Sequence, residues 1–203
     1  MRVNRLAAPV TSRPLVPSVK DVLVSEPEIR RRVDELAAEI SRDYEGRVPL
    51  LVTVLKGGLY FLADLSRALR IPAAIDVLAI SSYRGDNPSG VARLLKDLDE
   101  EITDRHVLLV EDIIDTGLTA AYLLRVLQTR NPATLAICTL LDKTARRIVH
   151  SLPIRYRGFE IPDLFVVGYG LDYQQRFRTL PYIGVLAEEP QALPSGRAAR
   201  TSC

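Results

Sequence analysis

The chain has 203 residues, 47% of them hydrophobic and 26% charged, with a net charge of +2: one well-cored domain rather than two, and a charge balance that argues neither for nor against nucleic acid. No apolar stretch approaches the ~20 residues needed to span a bilayer. The two cysteines, Cys138 and Cys203, offer neither a disulfide framework nor a metal spacing, which suits a reducing, cytoplasmic compartment.

The first stretch, MRVNRLAAPVTSRPLVPSVK, lacks acids but holds three prolines and no apolar signal core. Residues 1–19 are therefore expected to be a flexible tail rather than a transit peptide. SEPEIRRRVDELAAEISRDY then reads as a helix. Ser25 and Glu28 make a capping-box pattern with Pro27 in the first turn, and Ile29, Val33, Leu36, Ala37 and Ile40 recur at helical spacing. PLLVTVL is a continuous apolar run closed by Gly57-Gly58, as in a strand buried on both faces. LYFLADLSRALR is a helix and AAIDVLAISSY a strand. RGDNPSGVARLLKDLDEEITDR is a turn-rich connection of roughly twenty residues, long enough to be a functional loop and in part a β-ribbon. HVLLVED is a strand, TAAYLLRVLQTR a helix, and ATLAICTLLD, LFVVGYG and YIGVL further strands. The end, EEPQALPSGRAARTSC (188–203), has no periodicity and reads as a second tail. Alternating strands and helices predict an α/β domain over residues 20–187 with a mostly parallel sheet. Ligands of such sheets lie outside the carboxyl ends of the strands.

VLLVEDIIDTGLTA (107–120) joins a strand to a helix through Asp115, Thr116, Gly117 and Thr119. Backbone amides, hydroxyls and the helix dipole there suit a phosphate, although neither G-x-x-x-x-G-K-[ST] nor G-x-G-x-x-G is present. Glu111 and Asp112 stand beside it. Carboxylates at that place can accept from vicinal hydroxyls and support a hydrated Mg²⁺. A sugar phosphate carries both kinds of group.

VLLVEDIIDTGLTA resembles the phosphoribosyl-pyrophosphate signature of type I phosphoribosyltransferases, in the form of the hypoxanthine-guanine branch. LKGGLYFLADL (55–65) is similar to that branch's pyrophosphate loop, SSY (81–83) to the start of its mobile loop, and LLDK (140–143) with GFEIPDLFVVGYGLDY (158–173) to its purine pocket. The resemblance implies the type I phosphoribosyltransferase fold, a central sheet flanked by helices with a small hood subdomain. It also implies Mg²⁺ as cofactor, phosphoribosyl pyrophosphate and a purine base as substrates, and a homo-oligomer, dimer or tetramer. Neither nucleic acid nor membrane is implied as a partner.

By the same resemblance, Asp115, Thr116, Gly117, Leu118 and Thr119 hold the 5′-phosphate; some members carry a basic residue where Leu118 stands. Glu111 and Asp112 bind ribose hydroxyls and the metal. Lys56, Gly57 and Arg178 bind pyrophosphate, and the Lys56–Gly57 peptide can be cis. Arg178 is chosen over Arg176 by its spacing from Asp172. Lys143, Phe165, Val166 and Asp172 contact the purine, with Asp172 also a metal ligand. Asp115 is the catalytic base near N7, and Ser82 and Tyr83 close over the site as a lid. The implied reaction is purine salvage. The alternatives are a xanthine-preferring transferase and a phosphoribosyl-pyrophosphate-sensing nucleic-acid-binding regulator of the same fold. Neither His106 nor His150 enters the scheme.

Overall fold

Successive residues of a strand face opposite ways, and that alternation sets the layers. In the computed structural model, which describes residues 18–81 and 93–187, β1 spans Val19–Val24, α1 Glu26–Asp43, β2 Leu50–Leu55, α2 Leu59–Ala68, β3 Ala74–Ser81 and β4 Arg93–Lys96. The chain continues with β5 His106–Ile114, α3 Leu118–Gln128, β6 Thr134–Asp142, β7 Ile154–Glu160, β8 Val166–Val167 and β9 Ile183–Leu186. Leu51, Leu108, Val110, Cys138 and Leu140 face one side of the sheet and pack with α1 and α2. Leu50, Val52, Val107, Leu109 and Ile137 face the other and pack with Ala120, Leu123 and Leu127 of α3.

The main sheet has the order β4-β3-β2-β5-β6-β7. It is parallel except for the edge strand β4, which runs antiparallel to β3 and is the ribbon expected in the long connection. Buried Asp76 in β3 holds the end of that connection, accepting from the backbone N–H of Asp99 at 2.8 Å and of Glu100 at 3.0 Å. The chain leaves β2 in one direction along the sheet and β5 in the other. The gap between their carboxyl ends is therefore a topological switch point.

β1, β9 and β8 form a separate antiparallel sheet, the hood. YIGVL and LFVVGYG thus belong to this second sheet rather than to the parallel one. β8 keeps only two of the residues expected of LFVVGYG, because positive φ at Gly168 (100°), Tyr169 (47°) and Gly170 (99°) ends it. β1 begins at Val19, inside the stretch expected to be a tail, and pairs with Leu186. Ser82, Tyr83 and residues 1–17 and 188–203 of the expected tails lie outside the described residues.

The strand β7 was not apparent in the sequence. IRYRGFE alternates basic with apolar residues and forms the sheet's other edge. Arg32 of α1 reaches over that edge and donates to the carbonyls of Arg157 at 2.7 Å and Gly158 at 3.2 Å. At the start of α1, the Glu28 carboxylate accepts from the Ser25 backbone N–H at 2.8 Å. The Ser25 hydroxyl and this backbone donor together hold the Glu28 carboxyl below its usual range.

Leu36 is fully buried in α1, whereas Val48 is 53% exposed. Leu36→Ala is expected to lower the unfolding free energy by about 2–5 kcal/mol, and Val48→Ala to change it by no more than about 0.5 kcal/mol. Urea unfolding of the two variants measures both.

Candidate active site

The first wall comes from the turn after β2. Thr53 donates its hydroxyl to the Val110 carbonyl at 2.6 Å, tying β2 to β5. A side chain at Gly58 would fall 2.1 Å from Thr53 Oγ1, and one at Gly57 would fall 2.0 Å from Asp112 Oδ2. The Lys56-Gly57-Gly58 turn can therefore lie down on β5 only because it is glycine. The cis peptide of this turn is Leu55–Lys56, one bond earlier than the Lys56–Gly57 bond singled out by the resemblance. Lys56 Nζ reaches Gln175 Oε1 at 3.4 Å.

The second wall is β5 itself. The strand does not stop at Asp112 but runs to Ile114, because Ile113 and Ile114 continue the pairing with Leu141 and Asp142 of β6. Glu111 and Asp112 are consecutive in a strand and part accordingly. Glu111 is buried and its Oε1 lacks a hydrogen-bond partner. Burial, and then the neighbouring Asp112 charge, push its carboxyl well above the usual range. Burial also raises Asp112 to about 6, with backbone donors and Arg178 pulling the other way.

The loop that follows turns on Gly117, whose φ of 83° suits glycine. Thr116 offers its carbonyl to the N–H groups of Ile148 at 2.9 Å and Val149 at 3.1 Å, which anchors the loop from behind. No acidic residue occupies the first turn of α3. The free backbone donors and dipole there remain available to an anion. A cavity of about 240 Å³ sits at this point, lined by Glu111, Asp112, Asp115, Thr116, Gly117 and Thr119 among others. Leu118 points away and is 43% exposed.

A larger cavity, of about 470 Å³, adjoins it and shares Asp112, Ile113 and Asp115 as lining. Its far side carries Lys143, Phe165, Val166, Asp172 and Arg178. Lys143 is set by its backbone N–H on the Ile114 carbonyl at 3.0 Å. Its buried ammonium lies 3.4 Å from Asp163 and 3.9 Å from Asp115. Phe165 stands edge-on to Tyr173, with centroids 5.9 Å apart. Arg178 pairs with Asp172 at 2.7 Å and donates to the Gly170 carbonyl at 2.6 Å. Asp172 also accepts from the Gln175 backbone N–H at 2.7 Å, in a loop turned by positive φ at Gln174, Gln175 and Phe177. Arg178 lines the cavity, while Arg176 is exposed.

Two charged lining residues of the larger cavity were not foreseen. Arg146 ends a short 3₁₀ turn, Thr144–Arg146, and Asp163 precedes Phe165 by two residues. Arg146 lies 2.8 Å from Asp115 and 2.9 Å from Asp163. The available signal was Arg146 three residues after Lys143 at the end of a buried strand. Neither Lys56 nor Gly57 lines either cavity: Gly57 lies against Asp112, which lines both, and Lys56 reaches Gln175, which lines neither. The lid residues Ser82 and Tyr83 lie outside the described residues.

Residues 20–174 match the family model of the phosphoribosyl transferase domain. A hypoxanthine-guanine phosphoribosyltransferase from Mycobacterium avium is 46% identical, over 91% of this chain and 95% of that one. A hypoxanthine-guanine-xanthine phosphoribosyltransferase from Tritrichomonas foetus is 41% identical over 88% of this chain and 98% of its own. A crystal structure of a hypoxanthine-guanine phosphoribosyltransferase from Bacillus anthracis superposes with a TM-score of 0.79 at 43% identity, covering 85% of this chain and 100% of that one.

The raised Asp112 carboxyl gives a pH signature. Its folded value of about 6 exceeds the ~3.9 of an unfolded aspartate. The folded state binds the proton more tightly, so stability falls as pH rises from about 4 to about 6. Asp112→Asn removes that loss. Without divalent ions, urea unfolding at pH 7.5 should show the variant more stable by on the order of 3 kcal/mol, with most of the difference gone near pH 4.

Proposed function

This chain belongs to the phosphoribosyltransferase family, and from that premise we propose that it salvages purines. It transfers the 5-phosphoribosyl group of phosphoribosyl pyrophosphate to hypoxanthine or guanine, giving IMP or GMP and pyrophosphate. The observation that carries this reading is that one strand end serves two adjoining cavities. One is rimmed by the backbone that opens α3, the other by Lys143 and Phe165, and Asp112 and Asp115 line both. A nucleoside 5′-phosphate presents a phosphate and a base on either side of its ribose, and that outline fits the pair of cavities. We take residues 20–187 as the catalytic domain, joined by β1 from Val19.

In this reading Asp115, Thr116, Gly117, Leu118 and Thr119 hold the 5′-phosphate, mostly through backbone donors. Glu111 and Asp112 accept from the ribose hydroxyls. Lys56, Gly57 and Arg178 receive the pyrophosphate; a guanidinium suits its oxygens in bidentate fashion. Lys143 donates to the 6-oxo group, Phe165 stacks on the ring, and carbonyls near Val166 and Asp172 face the 2-position. The C1′–oxygen bond to pyrophosphate breaks, the C1′–N9 bond forms, and Asp115 takes the proton from N7. Charge that develops at C1′ is met by carboxylates already in place, and charge on the leaving diphosphate by Lys56 and Arg178.

The residues present suit Mg²⁺. Glu111 has a buried, unpartnered oxygen, and Asp112, on the other side of the strand, is raised by burial; a cation near either carboxylate would offset the cost of its charge. All the donors are oxygens, and Mg²⁺ is commonly held by one or two carboxylates together with substrate phosphates. Asp172 would hold the Mg²⁺ that carries the pyrophosphate, and Glu111 and Asp112 would support the Mg²⁺ at the ribose hydroxyls. Among the described residues no three acids gather at one point, so substrate oxygens and water would complete each shell.

We propose a homo-oligomer, dimer or tetramer, by likeness to the family. Oligomeric state is the subject of a Trypanosoma cruzi hypoxanthine phosphoribosyltransferase structure, 42% identical and with a TM-score of 0.77. No helix among the described residues is long and apolar enough to cross a membrane. The cytoplasm is proposed from cysteine usage.

Two measurements test the reading. Asp115→Asn should lower kcat by about 10²–10⁴-fold while phosphoribosyl pyrophosphate still binds, as read by steady-state turnover and calorimetry. Base preference is the second. Lys143 is a donor only, so adenine, with its 6-amino donor, should be nearly inert. Xanthine places a 2-oxo acceptor against backbone carbonyls, a mismatch costing ~1–3 kcal/mol, and should be poor beside hypoxanthine and guanine. Efficient use of adenine in side-by-side kcat/KM assays would remove Lys143 from its role. Xanthine outrunning guanine would instead favour a xanthine-preferring enzyme.

A further inference from the structure

We propose that Arg146 is a positioning residue that straps Asp115 to the hood at Asp163, so that the base-facing groups of three separate loops hold one arrangement. The inference rests on the proton-accepting role given to Asp115 above.

The three loops come from different parts of the chain. Asp115 follows β5, Lys143 and Arg146 follow β6, and Asp163 lies between β7 and β8. Arg146 reaches both acids with different nitrogens. Its Nη1 donates to Asp163 Oδ1 at 2.9 Å and Oδ2 at 3.2 Å, while its Nε lies 2.8 Å from Asp115 Oδ1 as an ion pair that is not aligned as a hydrogen bond. A guanidinium fork can span two carboxylates in this way, whereas an ammonium is a point charge. Asp163 is two residues before the ring of Phe165, so the strap also bears on the stacking wall.

The turn that carries Arg146 is itself pinned. Asp142 is fully buried and bonds Arg147 Nε at 3.0 Å, and Arg157 pairs with its other oxygen at 2.7 Å. The Arg146 backbone N–H donates to the Lys143 carbonyl at 3.0 Å. A fixed base beneath a forked head is what a strap requires. Lys143 stands between the same two acids, so loss of Arg146 would leave the ammonium to choose between them. The side chains of Asp115, Arg146 and Asp163 are 43–49% exposed. Pairs of that exposure add little to stability, which leaves geometry as the consequence of the contact. Hydrogen bonding from Arg146 is the largest influence holding the Asp163 carboxyl below its usual range.

The test uses the full chain with Arg146→Gln, Arg146→Lys, Asp163→Asn and the double variant Arg146→Gln/Asp163→Asn. Turnover with guanine should fall on the order of tenfold in each single variant. KM for phosphoribosyl pyrophosphate and the thermal midpoint should stay near wild type. The double variant should be no worse than either single one, because both remove one strap. In Arg146→Gln, the Asp163 carboxyl should titrate at higher pH by NMR. Additive losses, wild-type turnover in Arg146→Gln, rescue by Arg146→Lys or an unmoved Asp163 titration would each overturn the proposal. Should Arg146→Gln not fold, Asp163→Asn tests the same strap from an exposed position, and unchanged turnover there overturns it. Wild type and Asp115→Asn run alongside separate the two readings. If wild type makes no nucleotide from any purine, the function fails. If wild type is active, Asp115→Asn is inactive and Arg146→Gln is normal, only the strap fails.

Discussion

Asp112 lies so close to the α-carbon of Gly57 that any side chain there would meet its carboxylate. Much of the carboxyl edge depends on this approach. It brings the turn after β2 onto the central strand and places Lys56 beside the loop of Asp172. It also keeps a carboxylate half out of water, which raises its proton affinity. Gly170 of the hood loop closes on the carbonyl of Gly57 from the other side, where an added carbon would fall 2.1 Å away. Three segments distant in sequence thus share one narrow stack, with a charge at its base.

The sheet topology explains why that stack lies where it does. β2 and β5 are adjacent and parallel, and their crossovers depart in opposite directions. The opening between their ends is free of crossover helices. Both loops that the function needs begin there, one after Leu55 and one after Ile114. The hood sheet covers the opening from above through β8 and the loop carrying Asp172 and Arg178. Chemistry then divides by strand. In the proposed reaction, β2 would supply the wall for the leaving group, β5 the ribose and phosphate contacts, and β6 the lysine that reads the base.

What could be read in advance follows the range of each signal. α1 was legible because a cap and a 3.6-residue period lie within twenty residues, and β2 because a buried parallel strand is a continuous apolar run. The loop proposed for the phosphate stands out because its residues are contiguous. β7 was hidden by arginines at alternate positions, and β1 by a partner strand at the far end of the chain. Arg146 was hidden because a three-residue turn has no period. Its partner Asp163 is seventeen residues away and meaningful only once the hood is folded. The strand β5 outran its expected end because Ile113 and Ile114 continue the ladder with Leu141 and Asp142 of β6, a pairing that the local sequence does not show.

The reach of Arg32 over β7 bears on how the molecule behaves among its own copies. An uncovered sheet margin offers a row of carbonyls and amides on which another chain can add a strand. Here the carbonyls of Arg157 and Gly158 in the edge strand are already engaged by a guanidinium from α1. Arg32 is in turn held by Glu35 and Glu39. An incoming backbone would have to displace a chelated cation before making its first rung, so this part of the border resists growth of the sheet from one molecule into the next.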